Sequence, residues 1–227
     1  MKPSVVYLPM RKGSERIKNK NTRPFADKKF GLFELKINQL LRVMVDRIII
    51  STNDKEIIAH CEQLNDSRIF VDHRPEEYCT SATSTDNLIC YASSLFDNET
   101  VLWTHVTSPF IDENMYNEAL NIYRKMEPEF DSLMTVNKLQ SFLWNKKGPI
   151  NYDRKKLKWP WTQSLDTIYE VNSGIFIADS SIYLNFGDRI GNKPYLLETD
   201  DIISFDIDWE SDFYIAEQIY KSHNNLA

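Results

Sequence analysis

Short apolar runs rich in β-branched residues recur along this chain without polar alternation, and segments of helical period lie between them. Residues 4–9, 47–51 (Arg-Ile-Ile-Ile-Ser), 101–106 (Val-Leu-Trp-Thr-His-Val), 132–136 and 169–178 are of this kind. A strand that is apolar on both faces has to be covered on both faces. That is the condition of a parallel sheet lying between helices, so the fold class is α/β. Helices are expected over residues 32–44, Lys55–Leu64, 84–96 and 113–126, with a last one ending near residue 220. Asp54 precedes the second of these as its N-cap. Residues 68–71 and 202–207 read as further short strands.

At 227 residues the chain suits a single domain over 1–227, and a chain of this size buries roughly 70% of its unfolded surface. Its three cysteines, Cys61, Cys79 and Cys90, are odd in number and form no C-x-x-C pair, which speaks against a disulfide framework and a zinc site. The apolar start is too short for a signal segment and is followed by Arg11 and Lys12. No apolar run approaches membrane-spanning length. A cytoplasmic protein with no membrane or nucleic-acid partner is expected.

Charge is unevenly placed. The first loop, residues 10–25, carries Arg11, Lys12, Arg16, Lys18, Lys20 and Arg23 against the single acid Glu15, in a chain of net charge -6. Gly13 and Ser14 stand where the backbone turns, so amides and a hydroxyl can face phosphate oxygens while the cations neutralise them. A nucleoside triphosphate is the expected ligand. Near the other end, residues 198–220 hold Glu198, Asp200, Asp201, Asp206, Asp208, Glu210, Asp212 and Glu217 without a lysine or arginine. Alternation along the expected strand puts Asp206 and Asp208 on one face, able to share a hard cation such as Mg²⁺, with Ile207 turned into the core. In an open parallel sheet, ligands collect at the carboxyl ends of the strands, which places Arg11, Asn53, Arg74 and Ser108 on one rim.

A third feature breaks the α/β pattern. Over residues 138–161, Lys146, Lys147, Arg154, Lys155, Lys156 and Lys158 mix with Phe142, Trp144, Tyr152, Trp159 and Trp161 around a Gly148-Pro149 turn. This reads as a hairpin-like excursion, extending over about residues 138–168, and a partner surface is its natural use.

Taken together the motifs resemble the acylneuraminate cytidylyltransferases, the CMP-sialic acid synthetases. The matching pattern is Arg-x-x-Ser-x-Arg with Lys-Asn (Arg11, Ser14, Arg16, Lys20, Asn21), Ser-Thr-x-Asp (Ser51 to Asp54) and Arg-Pro-x-Glu (Arg74 to Glu77). It continues with Thr-Ser-Pro (Thr107 to Pro109), Asn-x-Gly (Asn172 to Gly174) and Asp-Ile-Asp (Asp206 to Asp208). The resemblance implies a Rossmann-like, mostly parallel sheet with helices on both faces, of the nucleotide-diphospho-sugar transferase type. It implies a homodimer joined through the excursion. It also implies CTP as donor and a 2-keto acid sugar as acceptor, with Mg²⁺ held by Asp206 and Asp208. Arg11, Ser14, Arg16, Lys20 and Asn21 would hold the triphosphate and ribose, with Arg74 and Ser108 also on the nucleotide, and Arg11, Lys20 and Asp208 are the expected catalytic groups.

Departures fall on the sugar side. His105-Val106 stands where the family has Gln-Pro, and Gln163 lies in a segment that lacks the family's arginine. Asn172 is separated from Gly174 by Ser173. His105, Gln163 and Asn172 are the expected sugar-side residues. Lys20-Asn21 matches the nonulosonate branch rather than the octulosonate branch, whose loop reads Lys-Pro there. Two other readings remain: a glycosyltransferase using Asp206 and Asp208 as its D-x-D, and a non-catalytic nucleotide-binding protein. Pyrophosphate release from CTP separates all three.

Overall fold

In β1 (Ser4–Met10), Val5 and Tyr7 face one layer and Val6, Leu8 and Met10 the other, and all five are buried. The pattern repeats in β2 (Arg47–Thr52), where Ile49 opposes Ile48 and Ile50. Beyond β3 (Ile69–His73) it returns in β4 (Thr100–Thr104), where Val101 and Trp103 oppose Leu102. The computed structural model describes residues 2–224 and places these strands in a seven-stranded sheet. Its order is β3-β2-β1-β4-β8-β5-β9, with β5 at Ser132–Leu139, β8 at Ile168–Asp179 and β9 at Pro194–Glu198. Only β8 runs antiparallel, to both β4 and β5. One layer is built from α1 (Gly31–Leu40), α2 (Lys55–Leu64), α4 (Glu113–Lys125) and α6 (Glu210–Asn224), the other from α3 (Thr85–Ser93) and α5 (Ser180–Phe186). Among the described residues no helix is long and apolar enough to cross a membrane.

Asp54 caps α2 as expected, its carboxylate accepting from Glu56 N at 3.0 Å. Three expectations change. The first helix stops at Leu40, where the chain tightens into i→i−3 bonds (Arg42 N to Gln39 O, 3.1 Å; Val43 N to Leu40 O, 3.0 Å), and Arg68 caps the carbonyls of Leu41 and Val43 beyond it at 2.7 and 3.1 Å. Residues 202–207 are not a strand: the Asp200 side chain accepts from Ile202 N and Ile203 N at 3.0 and 2.9 Å and curls the chain into a turn. The outermost strand is instead β9, whose half-buried residues give only a weak apolar signal.

The excursion between β5 and β8 contains the short antiparallel pair β6 (Trp144–Asn145) and β7 (Gly148–Pro149). Its neck is tied by buried Asn151, which donates to Ser141 O and Asp166 O (2.8 and 3.2 Å) and accepts from Leu143 N at 3.1 Å. Phe142 packs edge-on against Tyr152 and Trp159, both at 5.3 Å. Trp161 remains 80% exposed and Trp159 65%.

Beneath the carboxyl ends of the strands lies a buried cation. Lys36 of α1 is fully enclosed, and its Nζ contacts Ser108 O, Ile111 O and Tyr116 Oη, each at 2.8 Å. Thr104 Oγ1 donates to Gly174 O (2.9 Å), so it must accept from the Tyr116 hydroxyl (2.8 Å), which leaves Tyr116 Oη as an acceptor for Lys36. The proton order therefore requires three donors on Nζ, which only the ammonium has. Burial opposes that charge and pulls its pKa down to about 7. Lys36→Met fills the space but strands the Ser108 and Ile111 carbonyls, each at a cost of about 1 to 3 kcal/mol. The expected result is a lower denaturant midpoint at unchanged m-value, read by equilibrium unfolding.

Candidate active site

In the sheet, β1 has β2 on one side and β4 on the other, so successive connections leave it in opposite directions and a crevice opens at the carboxyl ends. A cavity of ≈ 340 Å³ lies there. The first loop supplies Arg11, Ser14, Glu15, Arg16, Lys20 and Asn21 to its wall, and the end of β4 supplies His105, Val106 and Thr107.

The loop is held in place from several sides. Gly13 has φ +81°, in the left-handed region open to glycine without a Cβ penalty. The buried side chains of Ile17 and Phe25 pin its middle and end. Lys12 N donates to Asn53 Oδ1 after β2 (2.8 Å), Asn21 Nδ2 to Arg11 O (3.2 Å), and Phe33 N of α1 to Asn21 O (2.8 Å).

The acidic segment lies beside the cavity, joined to its wall through Lys20, Arg16 and Thr107. Ile207 is buried, its N–H donates to Thr107 O (2.9 Å), and its carbonyl accepts from Lys20 Nζ (2.8 Å). Asp208 pairs with Arg16 at 3.1 Å and lies 3.9 Å from Lys20. Arg23 pairs with Glu210 and lies over the Phe213 ring at 4.5 Å. Burial raises the Asp206 carboxyl above the usual carboxylate range, with Asp208 adding to the rise, while Thr107 and Lys20 oppose it. Burial likewise lowers Lys20, and Asp206 and Asp208 resist that shift.

The two aspartates are brought together without the strand expected for them: an extended, unpaired segment held by Thr107 and Lys20 does it instead. No group of three or more His, Cys, Asp or Glu suited to a metal occurs among the described residues. A pair of hard carboxylates nevertheless suits Mg²⁺, which keeps several waters and takes phosphate oxygens alongside one or two carboxylates.

Arg11, Ser14, Arg16, Lys20, Asn21 and His105 thus share one cavity, with Asp206 and Asp208 beside it through Lys20 and Arg16. Ser108, Arg74, Gln163 and Asn172 are not in its wall. Ser108 is buried over Lys36, and its neighbour Thr107 faces the cavity instead. Arg74 is buried and donates from Nε to Ser51 Oγ (3.0 Å) and from Nη2 to Ser51 O. Gln163 lies on the excursion in a 3₁₀ turn, Thr162–Ser164. Asn172 is engaged inside the fold: Oδ1 accepts from Thr135 Oγ1 at 2.7 Å, and Nδ2 donates to Asn137 Oδ1 and Thr199 Oγ1, both at 2.8 Å. Gly174 lets the backbone approach Ile111, whose Cδ1 a Cβ would overlap. Sequence reasoning missed Thr107 by one residue, and it missed Ser81, which also lines the cavity and belongs to no motif.

A profile described as Cytidylyltransferase matches residues 5–226. The chain is similar to the N-acylneuraminate cytidylyltransferase of Escherichia coli O18:K1:H7 (strain RS218 / NMEC), at 26% identity over 97% of this chain and 52% of that protein. It therefore spans about half the length of that relative. Among solved structures, a CMP:2-keto-3-deoxy-manno-octonic acid synthetase complexed with CTP superposes with TM-score 0.66 at 12% identity, covering 97% of this chain and 99% of the other. The 4-diphosphocytidyl-2C-methyl-D-erythritol synthase of Anaerococcus prevotii DSM 20548 does so with TM-score 0.69 at 13% identity, over 97% and 96%. At these identities the structural likeness speaks for the fold.

The raised Asp206 carboxyl has a stability consequence. The folded chain keeps that proton to higher pH than the unfolded chain, so the group's contribution is full below the unfolded-state pKa and is lost as pH rises through the folded-state value. Asp206→Asn removes the loss. In chelator at neutral pH this variant should melt above the parent, and the gap should close toward about pH 4, as calorimetry at a series of pH values would show.

Proposed function

Because the chain belongs to the cytidylyltransferase family, we propose that it transfers the cytidylyl group of CTP to the anomeric hydroxyl of a nonulosonic, sialic-acid-like 2-keto acid. The observation that carries this reading is the cavity at the β1/β4 crevice, walled by the cations of the first loop, with Asp206 and Asp208 beside it through Lys20 and Arg16. The acceptor class is supported by the similarity to a protein named N-acylneuraminate cytidylyltransferase.

Attack by the anomeric oxygen on the α-phosphorus forms one P–O bond, and the bond to the β-phosphate breaks. Pyrophosphate leaves with the electron pair, and the hydroxyl proton passes to Asp208 or to water. Such a transfer asks little covalent chemistry of the protein; it needs in-line positioning and charge neutralisation. Arg11, Arg16 and Lys20 surround the phosphates with positive charge, while Ser14 and Asn21 fix their register. Arg74, anchored by Ser51, is assigned to the cytosine edge. Asp206 and Asp208 would hold Mg²⁺, which would supply Lewis-acid neutralisation of phosphate oxygens. Arg16 and Lys20, which pair with Asp208 in the free protein, then turn to the phosphates. The exposed Trp159 and Trp161 of the excursion form the contact of a homodimer.

The test is pyrophosphate release from CTP against a panel of 2-keto acid sugars, with sedimentation to give the oligomeric state. Asp206→Asn and Asp208→Asn should each lower kcat by about 10²- to 10³-fold, the usual scale for loss of one preorganised electrostatic contact. Chelation of Mg²⁺ should abolish the parent's activity. If both variants turn over at the parent's rate with unchanged Mg²⁺ dependence, the carboxylates are structural and the reading of the site is wrong.

A further inference from the structure

Arg189 follows α5 and belongs to none of the motifs. Its guanidinium carbon lies 3.7 Å from the Phe176 ring centroid and 5.6 Å from that of Trp103. Among the described residues no carboxylate side chain forms an ion pair with its guanidinium; the adjacent Asp188 takes its backbone N–H instead, at 2.6 Å. Burial lowers its pKa, and a partly buried cation without an anion is costly until one arrives. Its polar contact is with His105, Nη1 to Nε2 at 3.4 Å.

Trp103 Nε1 also donates to His105 Nε2, at 3.1 Å. An indole N–H and a guanidinium can only donate, so Nε2 bears the lone pair and the ring proton is on Nδ1. A second proton on Nε2 would face both donors, and burial together with Arg189, Lys20, Lys36 and Arg74 holds the ring's pKa down to about 3. His105 is therefore a neutral imidazole in the cavity wall whose Nδ1–H makes no bond to the described residues.

We propose that His105 and Arg189 form the carboxylate position for the acceptor: His105 donates Nδ1–H to a carboxylate oxygen, and Arg189 supplies the positive charge behind the ring. The proposal rests on the keto-acid reading above. The triphosphate has its own cations in the first loop on the β1 side. The His105–Arg189 pair lies on the β4 and β8 side, where one neutral donor backed by one cation matches a singly charged carboxylate. Arg189 is a positioning residue here, and His105 is a donor, never the base that deprotonates the hydroxyl.

Two measurements test it. With CTP and N-acetylneuraminate or the best acid of the panel, Arg189→Met should raise the acceptor KM about tenfold or more and leave the CTP KM within about twofold, and Arg189→Lys should recover part of the loss. The preference for the acid over its C1 amide should fall with it. Equal changes in both KM values, or an unchanged acid preference, would overturn the carboxylate role. The second measurement needs no turnover. The chain has four histidines, so ¹⁵N-histidine spectra can be assigned to His105 by its loss in His105→Asn. The expected signal is a neutral Nδ1–H tautomer that does not titrate down to about pH 5 and that shifts when pyruvate or N-acetylneuraminate is added with CTP, a response absent in Arg189→Met. A neutral Nε2–H form, or no response to either carboxylate, sinks the proposal. If the parent turns over no 2-keto acid sugar yet His105 responds to pyruvate, the acceptor reading fails and the carboxylate position stands.

Discussion

Lys20 is the point on which the site depends. Its ammonium is removed from water between Ile207 O and the carboxylates of Asp206 and Asp208, and 187 residues separate it from the carbonyl it holds. Neither partner is comfortable alone: burial lowers the lysine and raises Asp206, and each opposes the other's shift. Losing the Lys20 ammonium would leave the Ile207 carbonyl without its partner and Asp206 without the cation that opposes its shift. The contact therefore fixes where the acidic segment lies against the first loop. Arg16–Asp208 and Arg23–Glu210, more exposed and so weaker, extend the same seam outward. The opposed charge at the two ends of the chain is in this sense a closure device, and the cavity is what it leaves open.

The floor under that cavity is rigid for a different reason. The run from Lys36 through Tyr116 and Thr104 to Gly174 O is a hydrogen-bond chain with one allowed direction, because the last carbonyl can only accept. It links α1, α4, β4 and β8 under the loop that carries Thr107 and Ser108. Next to it, Thr135 takes Ile175 N at 2.9 Å and donates to Asn172, which fixes β8 against β5 at the bulge in their register. Polar groups enclosed this completely hold a geometry only when every donor and acceptor is matched. A displacement at Asn172 would pass through Thr135 to the end of β4.

Much of this was legible in the sequence. The both-faces burial of β1, β2 and β4 follows from unbroken apolar runs, and the Asp54 cap and the cation-rich turn at Gly13 follow from local chemistry. What could not be read has a common cause: it depends on partners far along the chain. The turn at residues 200–204 looks like a strand until Asp200 is seen to take two amide protons from it. Asn172 and Gly174 carry a ligand-binding pattern, yet they serve the packing of Thr135 and Ile111. Ser108 and Thr107 differ by one residue, and only the position of Lys36 decides which of them turns inward. Arg189 has no motif around it at all, since its meaning lies in Trp103 and His105.

The reversal of β8 ties these observations to specificity. Because β8 runs antiparallel between β4 and β5, its amino end, not its carboxyl end, meets the rim where the parallel strands finish. The parallel half of the sheet ends in the first loop, which brings Arg11, Arg16 and Lys20 to the cavity. On the far side of β4 the rim carries His105, with Arg189 behind it from the segment after α5, and the acidic segment that follows β9. The two halves meet at β4, over the buried Lys36, and again across the seam that Lys20, Arg16 and Arg23 make with the acidic segment.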